Sequence, residues 1–247
     1  MFIENLRMKL GLNDEYDIQC GYEAGCLGYS LYNQLTAAGV KCVMLAPTTM
    51  LTPQGVRIKT DMRDAYMIAQ CLSYGGYHAV YIPTEADDSV KEYLRMRNDH
   101  KLALKKIKQQ INAFCIRHGF CYDGTKWTLA HLNWLKKLEI TNELYRETLD
   151  EYMASYEEQE AKIERYDKRI EEIAEQTKYY DKVKKLKCFL GIKTHTALSL
   201  IVENGDFERF AKGNQYASYL GLAPGENSSS DSIHRLGITK AGNSHLG

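Results

Sequence analysis

The sequence has 247 residues, of which 44% are hydrophobic and 26% are charged, a balance typical of a globular protein with a substantial core. The net charge is zero, which argues against a binder of nucleic acid that relies on overall charge alone. No apolar run reaches the roughly 18 residues of a membrane span, and the N-terminus lacks the basic and apolar segments of a secretory signal.

Cysteine usage and local charge add two expectations. None of the seven cysteines lies in a Cys-x-x-Cys pair, so buried thiols in a reducing cytoplasm are favoured over a metal site or disulfides. Charge is segregated along the chain: residues 91–117 carry eight Lys or Arg, residues 182–193 carry five Lys and no acid, and residues 143–175 are strongly acidic. Basic segments of this kind could follow a phosphate backbone.

Residues 1 to about 84 alternate strand and helix patterns. Short strands are predicted over 17–23, 40–46 and 79–82, the second as a nearly continuous apolar run that suits a buried strand. Helices are predicted over 28–38 and 61–74, because each pattern is followed by a glycine that can end a helix. This alternation is typical of a layered α/β unit.

Residues 85 to about 185 contain no proline, and helices are predicted over 87–118 and 141–185. The second helix carries apolar and aromatic residues at alternating steps of three and four, which is the a/d spacing of a heptad repeat. These positions are Leu149, Tyr152, Tyr156, Gln159, Ile163, Tyr166, Ile170 and Ile173. The spacing favours a coiled coil or a helical hairpin, and the alternative is one amphipathic helix packed on its own domain. Residues 186–247 form a third region.

Three acidic residues in the first region are candidate metal ligands. Glu23 ends the first predicted strand, and Asp61 and Asp64 lie three residues apart at the start of a predicted helix, where both project from one face. Oxygen ligands of this type suit Mg²⁺, and two or three converging carboxylates could support phosphodiester chemistry. The alternative is that both aspartates are ordinary acids of a first helical turn, where the helix dipole favours them.

The third region contains a serine cluster, Ser228-Ser-Ser-Asp-Ser232, between two glycine-containing segments. A serine in such a loop could be a nucleophile if its deprotonation is assisted. His234, Arg235 and Lys240 follow closely and could bind a phosphate. The alternative is a flexible, serine-rich loop without a catalytic role.

Two groups of motifs, in order along the chain, resemble the DEDD transposases of insertion-sequence family 110. The first group consists of Tyr22-Glu-Ala-Gly25, Leu35 to Gly39, Pro47 and Lys59-Thr-Asp-Met-Arg-Asp-Ala65. The second consists of Gly191-Ile-Lys-Thr194, Glu203-x-x-Asp-Phe-x-Arg-Phe210, Tyr219-Leu-Gly-Leu-Ala-Pro224 and Gly237-Ile-Thr-Lys-Ala-Gly-Asn-Ser-His-Leu246. Together the two groups cover nearly the whole chain.

The resemblance implies a fold of class α/β plus all-α. Its parts would be a RuvC-like, RNase-H-type domain over 1–84, a helical coiled-coil insertion over 85–185 and a small, mostly α-helical transposase domain over 186–247. It also implies a DNA recombinase that is guided by a structured bridge RNA. The enzyme would act as a homo-oligomer, a dimer or tetramer joined through the coiled coil.

The resemblance also assigns roles to single residues. Glu23 matches the glutamate of the family, and Asp61 and Asp64 match its last two aspartates, so these three are expected to bind Mg²⁺ or Mn²⁺. Ser228 best matches the serine nucleophile, and Ser229 stays an alternative. In that family the carboxylates and the serine of one active site are thought to come from different subunits.

Three basic residues, Lys59, Arg235 and Lys240, are expected to contact nucleic acid. Two departures from the family pattern put the activity of the chain in doubt. The first aspartate of the family lies on an opening strand well before the glutamate, and only 22 residues precede Glu23 here. The chain also stops where the family continues, so we expect a partial domain and an incomplete chain, and leave its own activity open.

Two other functions stay open. A metal-dependent nuclease of the junction-resolving kind would use the carboxylates without a serine and would form no covalent adduct with DNA. A non-catalytic module would dimerise through residues 141–177 and bind RNA or DNA with an affinity that depends on salt.

Overall fold

The computed structural model describes residues 2–11, 17–47, 50, 60–226, 235–239, 242–243 and 245–246. The chain divides into two compact units, Met1–Ile82 (unit 1) and Pro83–Gly247 (unit 2). The division falls two residues before the predicted boundary at 84, and the first helix of unit 2 begins at Glu85. No helix in the described part of the chain is long and apolar enough to cross a membrane.

Unit 1 contains a strand–helix–strand motif. Its elements are α1 (Phe2–Leu10), β1 (Gln19–Glu23), α2 (Ser30–Ala37), β2 (Lys41–Leu45) and α3 (Asp61–Tyr74). β1 and β2 are parallel, with Gln19 opposite Lys41 and Glu23 opposite Leu45, so α2 is the crossover helix that parallel pairing requires. The α/β pattern expected here is therefore present, whereas the RuvC-like sheet stays a prediction.

The core of unit 1 is small in the part that the structure describes. Its buried residues are Leu45, Met50 and Cys71, with partly buried neighbours from α3 and with Tyr77. Gly21 brings β1 close to this core, because a Cβ atom at that position would lie 2.9 Å from side-chain carbons of Leu45 and Leu72. The strand predicted over 79–82 is reduced to one antiparallel bridge between Leu45 and Ala79.

Unit 2 is mostly helical. Its elements are α4 (Glu85–Arg117), α5 (Leu129–Lys136), α6 (Glu143–Ala174), α7 (Tyr180–Leu186), α8 (Thr194–Asn204), a 3-10 turn (Phe207–Arg209), α9 (Gly213–Tyr219), β3 (Pro224–Glu226) and β4 (Arg235–Ile238). Three helices begin at side-chain caps, since Thr84, Thr128 and Asn142 each accept a hydrogen bond from a backbone N–H three residues later. Caps of this kind satisfy N–H groups that the first helical turn leaves unpaired.

Helices α4 and α6 form an antiparallel hairpin. Arg97 forms a two-point ion pair with Asp167, and farther along α4 the ring of Phe114 contacts Tyr145 near the start of α6. All eight heptad positions predicted on α6 are buried or half-buried. The apolar seam therefore packs within the chain, as the helical-hairpin form of the prediction expects, and oligomerisation through the seam is not shown.

Two separate hydrophobic clusters lie along this hairpin. The first, cluster A, includes Leu94, Ile170, Ile173, Tyr179, Val183, Ala197, Leu198, Ile201 and Val202. The second, cluster B, includes Leu104, Ile111, Phe114, Cys115, Leu135, Leu149, Met153 and Tyr156. Cluster A combines residues from α4, α6, α7 and α8, so the structure does not separate the segments 85–185 and 186–247 into two units. The reason is that α8 packs directly on α4, α6 and α7.

The long helix predicted over 141–185 is interrupted between α6 and α7. Tyr179 lies in the interruption with 2% of its surface exposed, and its hydroxyl donates a hydrogen bond of 2.8 Å to Asp87. Lys178 forms an ion pair with the same carboxylate at 2.8 Å. Burial opposes ionisation of Asp87, but hydrogen bonds from Lys178, Thr84 and Tyr179 hold its pKa below the ordinary value. A tertiary contact therefore breaks the helix where no glycine or proline marks an end.

Candidate functional site

Glu23 lies at the carboxyl end of β1, as the sequence predicted. Its backbone is held by pairing with Leu45, and the next amide, of Ala24, donates a 2.9 Å hydrogen bond to the carbonyl oxygen of Leu45. The side chain of Glu23 is exposed. This side chain therefore lies outside the hydrophobic core, at the carboxyl end of a strand. Parallel α/β units commonly bind ligands at the carboxyl ends of their strands.

Asp61 and Asp64 lie in the first turn of α3, also as predicted. The hydroxyl oxygen of Thr60 accepts a hydrogen bond from the backbone N–H of Arg63 and caps the helix. Asp61 is exposed and Asp64 is half-buried. A separation of three residues sets both carboxylates on neighbouring parts of one helical face.

The three acids are not gathered into a metal site. Among the described residues, which include Glu23, Asp61 and Asp64, no group of three or more His, Cys, Asp or Glu side chains is arranged to hold a metal ion. Binding of Mg²⁺ or Mn²⁺ by these residues therefore stays a prediction based on their chemistry and on the resemblance.

The proposed serine nucleophiles lie outside the described residues. This applies to Ser228 and Ser229, and also to Lys59 and Lys240, whereas Arg235 is described only as the first backbone position of β4. The segments on both sides of residues 227–234 are described, and they form an antiparallel hairpin. Pro224 pairs with Ile238, and Glu226 pairs with Arg235. The two ends of the serine segment are therefore brought side by side.

A buried carboxylate, Glu203, fixes the base of this hairpin. Its side chain is only 5% exposed, and it accepts two hydrogen bonds of 2.8 Å from the guanidinium of Arg95. The side-chain amide of Asn243 donates to the same carboxylate at 2.9 Å, and the Tyr219 hydroxyl donates to the backbone carbonyl of Glu203 at 3.0 Å. We call these four residues the Glu203 network.

The electrostatics of the network keep Glu203 ionised. Burial by itself would raise the pKa of this carboxyl, but the hydrogen bonds from Arg95 and Asn243 and the positive charge of Arg95 hold the pKa below its ordinary value. A buried carboxylate is stable only when it is paired and hydrogen-bonded in this way. Glu203 is therefore a structural anion and not a proton donor at neutral pH.

The network joins the chain before the hairpin to the chain after it. Tyr219 ends α9 just before β3, and Asn243 follows β4; the backbone N–H of Asn243 also donates to the carbonyl oxygen of Tyr219 at 3.2 Å. Both segments are thereby attached to α8 through Glu203. The sequence motif contains Glu203 and Tyr219, but nothing in the local pattern shows that Arg95, more than 100 positions earlier, would be their partner.

Gly242 allows the closest backbone contact in this region, which leads to a prediction. A Cβ atom at position 242 would lie 2.1 Å from the carbonyl carbon of Leu220 and 2.2 Å from the amide nitrogen of Gly221. Gly242→Ala should therefore displace the C-terminal segment from the end of α9, with a loss of about 1–3 kcal/mol of unfolding free energy. Urea unfolding and hydrogen exchange at the Asn243 amide measure this effect.

The matched control is Gly237→Ala in β4, where an added Cβ atom would meet nothing within 4 Å. We expect this variant to unfold like the parent and to keep the protection of the Asn243 amide. Equal losses in the two variants would contradict the close contact at Gly242.

Four of the eight basic residues on α4 form ion pairs inside the chain. Arg95 and Arg97 pair with Glu203 and Asp167, and Lys91 and Lys108 pair with Asp88 and Glu160. The aromatic residues near this run are also part of the core, since Phe114 is 2% exposed and both tryptophans pack against cluster B. The paired half of this run and its aromatic residues therefore contribute to the packing of unit 2. The other four basic residues, Lys101, Lys105, Lys106 and Arg117, are exposed.

Comparison with known proteins identifies relatives for most of the chain. Residues 183–246 match the family model described as "Transposase IS116/IS110/IS902 family". The chain is 36% identical over 216 residues, 86% of its length, to the transposase for insertion sequence element IS1533 of Leptospira borgpetersenii. It is 33% identical over 91% of its length to a predicted transposase, y4qE, of Sinorhizobium fredii. The matched regions span 61% and 55% of these two relatives.

Proposed function

We propose that this chain, a relative of the transposases of the IS116/IS110/IS902 family, takes part in cutting and rejoining DNA as a transposase or recombinase. The observation that carries the proposal is the extent of similarity: the match to the IS1533 transposase covers 86% of the chain, far more than the residues 183–246 of the family model. Because the chain spans only about three fifths of that relative, the activity of the whole relative is an inference for this chain.

The chemical part of the proposal is a serine that attacks DNA. In this mechanism the Oγ atom of Ser228, with Ser229 as the alternative, attacks a backbone phosphorus and breaks one P–O bond to the DNA strand. A strand hydroxyl is released with a proton, and the phosphate is held as a phosphoserine ester. Attack by a hydroxyl of another strand then reforms the DNA link and returns the serine. The hairpin of β3 and β4, anchored by the Glu203 network, supports this role because it gives residues 227–234 a fixed base.

The metal part of the proposal rests on donor chemistry. Carboxylate oxygens of Glu23, Asp61 and Asp64 are of the type that Mg²⁺ and Mn²⁺ prefer, and a bound ion would stabilise charge on a phosphate. In the structure of this single chain the three carboxylates do not form a metal-binding group, so we derive no step through a metal. Guidance by a bridge RNA, a RuvC-like unit 1 and a composite site shared between copies of the chain belong to the same proposal.

The experiment is strand exchange between a donor and a target duplex, with Mg²⁺ and the cognate RNA, followed by a search for a protein–DNA adduct that survives denaturation. Ser228→Ala should abolish both exchange and adduct, whereas the matched control Ser218→Ala, on the exposed surface of α9, should retain both. If only Ser229→Ala abolished strand exchange and the adduct, Ser229 would be assigned as the nucleophile. DNA cleavage without an adduct would reject the serine mechanism in favour of a metal-dependent nuclease.

A further inference from the structure

A second basic surface, at the turn between α7 and α8, is not neutralised by the chain. It comprises residues 182–193, which we call the α7–α8 tip. Its lysines, which are all exposed, are Lys182, Lys184, Lys185, Lys187 and Lys193. None of them forms an ion pair with an acid in the described part of the chain, whereas four of the eight basic residues of α4 do. Lys187 donates a hydrogen bond of 2.9 Å to the hydroxyl of Thr194, and the ammonium group of Lys184 lies over the ring of Tyr180.

The direction of these lysines follows from the burial of α7. Val183 is 5% exposed and belongs to cluster A. At 100° per residue, Lys184 and Lys185 are turned by about 100° and 200° from Val183, and Lys182 by about 100° the other way. The three ammonium groups therefore cover the solvent side of α7. The nearest acid in sequence is Asp181, at the start of the helix.

The tip also carries two exposed apolar side chains. Phe189 is 65% exposed and Leu190 is 106% exposed, more than any other large apolar residue described in the chain. Gly191 follows with a φ of +87°, a left-handed conformation that glycine adopts without strain, and it turns the chain sharply into α8. Phe189 and Leu190 thus stand at the outer end of the turn, flanked by Lys187 and Lys193.

We propose that the α7–α8 tip docks on duplex DNA, with its lysines on the phosphates of both strands and with Phe189 and Leu190 in the minor groove. The inference rests on the proposed function and adds the surface and the form of nucleic acid that it binds. The lysines supply affinity through release of counterions. Burial of the two apolar side chains against the walls of the groove removes them from water and so contributes to the binding free energy. Minor-groove proteins make this kind of contact when they insert apolar residues.

The composition of the tip fits DNA better than other partners. Protein–protein interfaces are depleted of lysine, so five exposed lysines, none of them in an ion pair within the described residues, disfavour a protein partner. The minor groove of an RNA duplex is wide and shallow and displays 2′-hydroxyl groups, which offer little to Phe189 and Leu190. The apolar pair therefore favours B-form DNA over RNA.

The experiment measures binding of the whole 247-residue chain to a DNA duplex, an RNA duplex of the same sequence and anionic vesicles, over a range of salt. The chain should prefer DNA. Lys184→Ala with Lys185→Ala should weaken DNA binding by roughly 8-fold for each lost phosphate contact at 0.1 M salt, and lower the salt slope by about 0.9 per contact. Phe189→Ser with Leu190→Ser should weaken DNA binding at an unchanged slope and reduce the preference over RNA.

The control replaces two other exposed lysines, Lys137→Ala with Lys168→Ala, which gives the same loss of charge outside the tip and should leave affinity and slope close to those of the parent. Equal binding by the parent and both tip variants would overturn the tip as the docking surface and leave the proposed function standing. A preference for RNA or for vesicles would also overturn the inference. Failure of the parent chain to bind any duplex at low salt would overturn the inference and the proposed function together.

Discussion

Replacing Glu203 with alanine is expected to destabilise unit 2 by about 3 kcal/mol or more. The substitution removes the acceptor of the two short hydrogen bonds from Arg95 and of the one from Asn243, in a site where the carboxylate itself is 5% exposed. Removing one partner of a buried ion pair is costly because the remaining charge stays partly desolvated. Chemical denaturation of the parent and the variant at neutral pH measures the difference.

The control for this prediction uses a second carboxylate that lies near Arg95. Glu92 approaches Arg95 at 3.8 Å but is 67% exposed, so Glu92→Ala should cost less than about 1 kcal/mol. Comparable losses of unfolding free energy in the two variants would show that the ion pair of Arg95 with Glu203 is no stronger than the one with Glu92.

The same carboxylate predicts a dependence of stability on pH. The folded pKa of Glu203 lies below its ordinary value of 4.5, so its contribution is complete above about pH 4.5 and is lost as the pH falls through the lower, folded pKa. Glu203→Ala should therefore lose less stability than the parent over this acidic range. An identical acid dependence in the two proteins would contradict the assignment of the low pKa to Glu203.

The second large effect is expected at Leu149, on the heptad seam of α6. Leu149 is fully buried in cluster B, and Leu149→Ala should lower the unfolding free energy by about 3 kcal/mol, through lost apolar contact and the cavity left behind. Because the seam packs on α4 of the same chain, the unfolding midpoint should not depend on protein concentration. The midpoint would depend on concentration if the seam joined two copies of the chain.

Leu144→Ala is the matched control, since it is the same substitution five residues earlier on α6, at a side chain that is 69% exposed. Its effect should stay within about 0.5 kcal/mol. A small effect at Leu149 together with a concentration-dependent midpoint would favour the intermolecular coiled coil.

Local patterns were sufficient for most of unit 1 and for the two long helices. The parallel pair was predictable because β2 is a nearly continuous apolar run and α2 ends just before a glycine. The hairpin was predictable because the heptad spacing on α6 requires an apolar partner. Helices α1 and α5 are not among the predicted elements, although Thr128 is a recognisable cap residue for α5.

The remaining features depend on contacts between distant residues. The break before α7 is stabilised by Tyr179 and Lys178 on Asp87, about 90 positions away. The shared cluster A could not be read from the sequence either, because helix periodicity shows that Leu94 and Leu198 are buried but not that they are buried together. The Glu203 network is a third case, because a single acid in the last turn of an apolar helix does not indicate which arginine it pairs with.

Clusters A and B of unit 2 lie at different positions along the same two helices, α4 and α6. Leu94 of cluster A and Phe114 of cluster B lie about 30 Å apart along α4. Once an α-helix has formed, adding a turn costs little and interrupting it costs a new nucleation. Loss of packing at one end should therefore propagate through α4 and α6 to the other, so unit 2 is expected to melt in a single cooperative transition although its hydrophobic interior is discontinuous.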